Sequence, residues 1–161
     1  MSEVFILLGG NQGDKHKIFS ETLKMIAAEI GSITKVSSIY ETEPWGFVSD
    51  LFWNQALIAE TLLLPEDVLR CALDIENRMG RIRTSVNYEA RPIDIDLMFY
   101  GELQINTPNL TIPHPLIAQR RFILVPLAEI APEKIHPVTG LTINQMLHIC
   151  PDKLKVTKIK I

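Results

Sequence analysis

The sequence predicts an α+β domain with a mainly antiparallel sheet and helices packed on it. Three observations predict it. Apolar runs and helical repeats follow the order strand, helix, strand, strand, helix, strand. Residues 41–52 hold Pro44 and Gly46, where a parallel connection would need a crossover helix of about a dozen residues or more. The 161 residues, 47% apolar and 22% charged, match one ordinary globular domain over 1–161 that can bury its own core.

Val4–Leu8 is a short apolar run that meets Gly9-Gly10-Asn11, hence a buried strand entering a turn. Asp14 is a candidate N-cap for a helix on which Ile18, Leu23, Ile26, Ala27 and Ile30 recur, with Gly31 as its stop. Residues 33–40 are β-branched and partly alternating, and 53–63 form a longer strand. Pro65 opens a second helix with Val68, Leu69, Ala72 and Ile75 on one face and Gly80 beyond its end. An arginine-dense loop at 81–92 leads into a strand at Ile93–Tyr100. A short strand at 103–105, a proline-punctuated loop at 107–115, helical material at 117–131 interrupted by Pro126, a short helix at 143–149 and a weak terminal strand complete the chain. This is a ferredoxin-like βαββαβ core with extra short elements at the C-terminus.

Composition excludes several classes. A formal charge of −3 argues against a protein that coats a nucleic-acid polymer, which is usually basic. No window approaches the roughly 18 apolar residues of a membrane span, and the N-terminus lacks the basic start of a signal peptide. The two cysteines, Cys71 and Cys150, sit in apolar stretches and read as reduced thiols. A cytoplasmic monomer is expected, with no membrane and no nucleic-acid partner.

The chemistry concentrates around Asp94-Ile95-Asp96. Alternation places both carboxylates on one strand face about 7 Å apart, where they repel each other. Mg²⁺, which takes oxygen ligands and leaves room for phosphates and waters, relieves that repulsion. An isolated Asp-x-Asp is usually the polar edge of a half-exposed sheet; its neighbours set this one apart. Arg70, Arg78, Arg81, Arg83 and Arg91 lie upstream, the last three flanking the loop that enters the strand. Guanidinium forks pair bidentately with phosphate oxygens. His114, between two prolines, and Arg120 add possible anion donors. Gly9–Gly13 matches neither GxxxxGK[ST] nor GxGxxG, so it reads as a tight turn rather than a phosphate loop. Trp45, Phe52, Trp53, Asn54, Tyr88 and Phe122 could stack on a flat heterocycle and read its edge, or simply pack on the core. An ATP-sensing module and an RNA-binding domain on the same layout are the competing readings.

Together these segments resemble one family, the 6-hydroxymethyl-7,8-dihydropterin pyrophosphokinases of folate biosynthesis. The carrying blocks are LGGN at 8–11, YETEPWG at 40–46, FWNQA at 52–56, ENRMGRIR at 76–83, EARPIDIDLMFYG at 89–101, LTIPHP at 110–115 and RRFILVPLAEIAP at 120–132. Gly10, Glu43, Tyr88-Glu89-Ala90 and Pro115 depart from the family's usual pattern. The resemblance implies transfer of pyrophosphate from ATP to the pterin hydroxymethyl group, with release of AMP. It implies that Asp94 and Asp96 bind two Mg²⁺ ions, and that Arg81, Arg83 and Arg91 act on the phosphates. It assigns Glu76, Leu97, Thr111, His114 and Arg120 to ATP. It assigns Thr42, Trp45 and Asn54 to pterin contacts, and Phe52 and Phe122 to a sandwich around the pterin ring.

Overall fold

The structure is a computed structural model that describes residues 1–42, 51–80, 82–83, 89–90 and 92–159. Its elements run in order: β1 (Ser2–Gly10), α1 (Lys15–Glu29), β2 (Ser32–Val36), β3 (Tyr40–Thr42), β4 (Phe52–Thr61) and α2 (Pro65–Arg78). Then come β5 (Ile82–Arg83), β6 (Glu89–Ala90), β7 (Asp94–Tyr100), β8 (Ile105–Asn106) and β9 (Thr111–Ile112). A 3₁₀ turn at Ile117–Gln119, α3 (Arg121–Ile130), α4 (Ile143–Ile149) and β10 (Val156–Lys158) follow.

The main sheet has the order β10-β3-β4-β1-β7, with β2 also paired to β4, and its printed pairings are all antiparallel. This is the expected α+β, ferredoxin-like layout. Helix α1 begins where expected, with the Asp14 carboxylate accepting from the Lys17 N–H at 3.3 Å. Pro65 opens α2, where its missing N–H costs nothing.

Alternation divides the sheet into two cores. Val4, Ile6, Leu8, Leu57, Ala59, Ile95 and Leu97 face α1 and α2, burying Phe19, Ile26, Val68, Ala72 and Ile75. Phe5, Leu7, Ala56, Ile58, Met98 and Phe99 face α3 and α4, burying Ile123, Leu124, Leu127, Ile143 and Met146. The extra C-terminal helices thus cover the second face. Each fully buried Leu, Ile or Phe contributes about 1.5–3 kcal/mol, so both layers hold the sheet.

Three local expectations change. Gly9 and Gly10 belong to β1 rather than to a turn. A Cβ on Gly10 would lie 2.3 Å from the Pro92 carbonyl oxygen, so in this chain glycine permits the close approach of two backbones that a larger residue would push apart. The run at 33–40 divides into β2 and β3, because Ser37 and Ser38 leave the strand between them. The Ser37 hydroxyl accepts from the Ala56 N–H at 2.9 Å, and the Ser38 N–H donates to the Glu129 carboxylate at 3.0 Å. Pro126 does not interrupt the third helix; it lies inside α3, buried like Ile123, Leu124, Leu127 and Ile130. Packing of that face holds the helix across the missing donor.

Candidate functional site

The two aspartates enter the site through β1. Gly9 is opposite Asp94 and Leu7 opposite Asp96 in the β1–β7 register. On the other side of β1, Gly9 is opposite Asn54; β4 in turn places Phe52 opposite Thr42 of β3. Side chains two residues apart share a face, so Leu7, Gly9, Thr42, Phe52, Asn54, Asp94 and Asp96 converge at one end of the sheet. Arg120 and Phe122, from the start of α3, and Leu154, from the C-terminal segment, complete a cavity of about 380 Å³. That volume lies within the range of small-molecule sites.

The floor is held in place. Asn54 is buried, and its Nδ2 donates to the Leu8 carbonyl at 3.3 Å. Gly9 leaves room for that amide; a Cβ there would approach Nδ2 to 2.9 Å. Phe52 is 37% exposed, so its ring borders the open space. The Arg120 guanidinium lies over the Phe122 ring, 4.9 Å from its centroid.

Ile95, between the aspartates, turns its side chain into the opposite core. Its N–H donates to Glu76 Oε2 at 2.7 Å. Glu76 reaches it from α2 and is only 8% exposed. A buried carboxylate accepting a backbone N–H fixes that strand segment.

His114 is positioned by its backbone, whose N–H donates to the Met98 carbonyl at 3.0 Å. Its Nδ1 accepts the Leu116 N–H at 3.2 Å, which assigns the ring proton to Nε2. Burial pushes the imidazole's pKa below its ordinary value, and the Asp96 charge opposes that only in part. A neutral ring with its proton on Nε2 results.

Of the residues singled out in the sequence, Thr42, Phe52, Asn54, Asp94, Asp96, Arg120 and Phe122 share the cavity. Glu76 meets β7 from the α2 side, Leu97 is buried in that same core, and Thr111 is exposed in β9. Arg81, Arg91 and Trp45 lie outside the described residues, and Arg83 is described only as backbone of β5. Arg70 and Arg78 face other partners: Arg70 pairs with Asp67 at 2.7 Å, and Arg78 with Glu29 and Asp74. Trp53 packs inward, edge-on to His16 and Phe19.

Three lining residues escaped the sequence reading. Leu7 and Gly9 follow from alternation once β1 is paired with β7; Leu154 carries no local signal.

The two aspartates present hard oxygen donors on one side of the cavity, the chemistry a magnesium-sized cation takes. Among the described residues no group of three or more His, Cys, Asp or Glu gathers. A pair of carboxylates fits a cation that fills the rest of its shell with water and phosphate oxygens.

Comparison with known proteins gives the chain a family. The sequence pattern of the 7,8-dihydro-6-hydroxymethylpterin-pyrophosphokinases matches residues 5–132. The 2-amino-4-hydroxy-6-hydroxymethyldihydropteridine pyrophosphokinase of Porphyromonas gingivalis is 38% identical over 141 residues, covering 85% of this chain and 95% of its own. That of Aquifex aeolicus is 36% identical over 139 residues, 86% of each chain. Among solved structures, a Plasmodium falciparum HPPK-DHPS superposes with a TM-score of 0.73 at 18% identity, over 92% of this chain and 43% of that one. This chain spans less than half of that longer protein, and the likeness shows the fold alone. With the pattern matched over most of its length and relatives matched nearly end to end, the chain belongs to the 7,8-dihydro-6-hydroxymethylpterin-pyrophosphokinase family.

Proposed function

We propose that the cavity above the sheet is where this pyrophosphokinase joins its two substrates, ATP and 6-hydroxymethyl-7,8-dihydropterin. The observation that carries the assignment is the convergence of Asp94 and Asp96 with Phe52, Phe122, Asn54 and Thr42 on one cavity. Phosphate chemistry and recognition of a flat, polar-edged ring are thereby adjacent.

The pterin ring stacks between Phe52 and Phe122, while Asn54 and Thr42 hydrogen-bond its edge. The family resemblance assigns Trp45 to the same contact. Arg120 and the His114 Nε2–H donate to phosphate oxygens of ATP, with Thr111, Leu97 and Glu76 shaping the nucleotide side. Asp94 and Asp96 would hold Mg²⁺, two ions in all, which would neutralise phosphate charge. Arg81, Arg83 and Arg91 balance the charge that develops on the transferring group.

The pterin hydroxyl oxygen attacks the β-phosphorus of ATP. A new phosphorus–oxygen bond forms as the bond from that phosphorus to the α-phosphate oxygen breaks. AMP leaves with the electron pair, and the hydroxyl proton is released. Most of the protein's work is positioning, for which effective molarities reach the equivalent of roughly 7–11 kcal/mol. Exclusion of water during turnover keeps ATP from simple hydrolysis, the role that segments 43–51 and 81–92 would fill. The chain works as one monomeric domain in the cytoplasm.

The test is chromatographic detection of nucleotide products from ATP, with and without the hydroxymethyl pterin. AMP formed only when the pterin is present supports the reading. ADP, or no nucleotide product, overturns it.

A further inference from the structure

The family pattern ends at residue 132, yet the cavity does not: Leu154 forms part of its wall. The segment that brings Leu154 there is anchored by one side chain. The Asp152 Oδ2 accepts the Arg121 N–H at 3.0 Å, and its Oδ1 accepts the Leu154 N–H at 3.0 Å. The same Oδ2 lies 3.5 Å from the Arg120 Nε. Beyond it, β10 pairs with β3, placing Val156 opposite the cavity residue Thr42.

Helix α3 explains why this contact matters. Arg121 is its first residue, and the preceding Arg120 makes no side-chain cap. The orphan N–H at that helix start is satisfied instead from the C-terminal segment. A carboxylate there also meets the positive end of the helix. Burial raises the Asp152 carboxyl's pKa, but the Leu154 and Arg121 N–H groups and the Arg120 charge outweigh that and hold it below the ordinary carboxylate value. The side chain is therefore an anion at neutral pH. Arg120 is the cavity residue that gains most: its guanidinium, laid over the Phe122 ring, has one end tied to that anion.

We propose that Asp152 is a positioning residue for the active site, fixing the Arg120 side chain that lines the cavity. Without it the Arg120 side chain must order itself during binding, at the cost of the rotamer freedom a long side chain holds. The proposal rests on the assignment of this cavity to ATP and the pterin.

Steady-state kinetics on the full chain test it, using Asp152→Ala, Asp152→Asn, Arg120→Ala and the Asp152→Ala/Arg120→Ala pair. Each single variant should raise the KM for ATP about tenfold with kcat within about threefold, and the double variant should be no worse than Arg120→Ala alone, as expected for residues acting through one contact. Asp152→Asn keeps the shape of the side chain but offers one carbonyl oxygen to the two backbone N–H groups. Its melting temperature should fall less than that of Asp152→Ala while the ATP KM rises as far in both, a split that a merely structural role would not produce. If Asp152→Ala fails to fold, Asp152→Asn and its pair with Arg120→Ala decide the question. An ATP KM within twofold of wild type in Asp152→Asn, or effects that multiply in the double variant, overturn the proposal. A wild-type chain that forms no AMP overturns the assignment of the cavity instead.

Discussion

Replacing Gly10 by alanine isolates the step from backbone packing to catalysis. The added Cβ would lie 2.3 Å from the Pro92 carbonyl oxygen, whereas carbon–oxygen contacts settle near about 3.3 Å or beyond. The two backbones must therefore part by about 1 Å. Pro92 stands two residues before Asp94, so the displacement is carried to the aspartate pair. A misplacement of about 1 Å in a reacting constellation costs up to roughly 100-fold in rate. Gly31 supplies the control, since its Cβ would lie 2.1 Å from the Glu60 carbonyl oxygen, near the opposite end of β4 from Phe52 and Asn54. Forced overpacking of this kind costs about 1–3 kcal/mol. For a chain of this size that corresponds to a drop of roughly 2–12 °C in melting temperature. Both Gly10→Ala and Gly31→Ala should show that drop by thermal fluorimetry. Only Gly10→Ala should lose AMP formation, by about two orders of magnitude in kcat. Equal kcat in the two variants would refute the link between the Pro92 contact and the aspartates.

Other outcomes follow from the same geometry. Asp96→Ala should nearly abolish turnover without unfolding the chain, because the side chain is exposed; a kcat above about a tenth of wild type would remove its assigned role in holding Mg²⁺. Burial lowers the pKa of both His114 and His136, so the folded chain resists their protonation. Stability from these groups is present above the ordinary histidine pKa of about 6.5 and is lost as pH falls below it. Melting temperature should decline from pH 7.5 to 5.5, above the range where carboxylates titrate; a flat profile there would contradict the assignment. The Tyr40 hydroxyl donates to Glu129 at 2.6 Å, and burial first, then that carboxylate, raise its pKa. Tyr40→Phe should cost about 1.5–3 kcal/mol in urea unfolding, the worth of a hydrogen bond to a charged group. An unchanged urea midpoint would show that the bond contributes nothing net.

The long periodic elements were legible because their cause is local. Strands β1, β4 and β7 are apolar runs, and α1 and α2 carry apolar faces bounded by Asp14 and Pro65. The aspartate pair was legible because alternation needs only the strand itself. What stayed hidden depends on residues far along the chain. Gly9-Gly10 looks like a turn until Asn54 and Pro92 are placed against it. Ser37-Ser38 looks like strand until Glu129, 91 residues after Ser38, takes the Ser38 N–H. Asp152 and Leu154 give no signal, because their meaning comes from the bare start of α3. The roles of Arg81, Arg83 and Arg91 rest on motif and charge alone.

The bond from Ile95 to Glu76 reaches beyond the site. Strand β7 ends the sheet, and an end strand is a template on which another chain can grow. Here its outward Ile95 N–H is capped by a carboxylate, and its Met98 carbonyl by the His114 N–H. Two further carboxylates, at 94 and 96, flank the capped position. The bonds that order this edge thus also occupy groups on which another chain would grow. Removing Glu76 would uncover the Ile95 N–H, and poor solubility would be the first symptom.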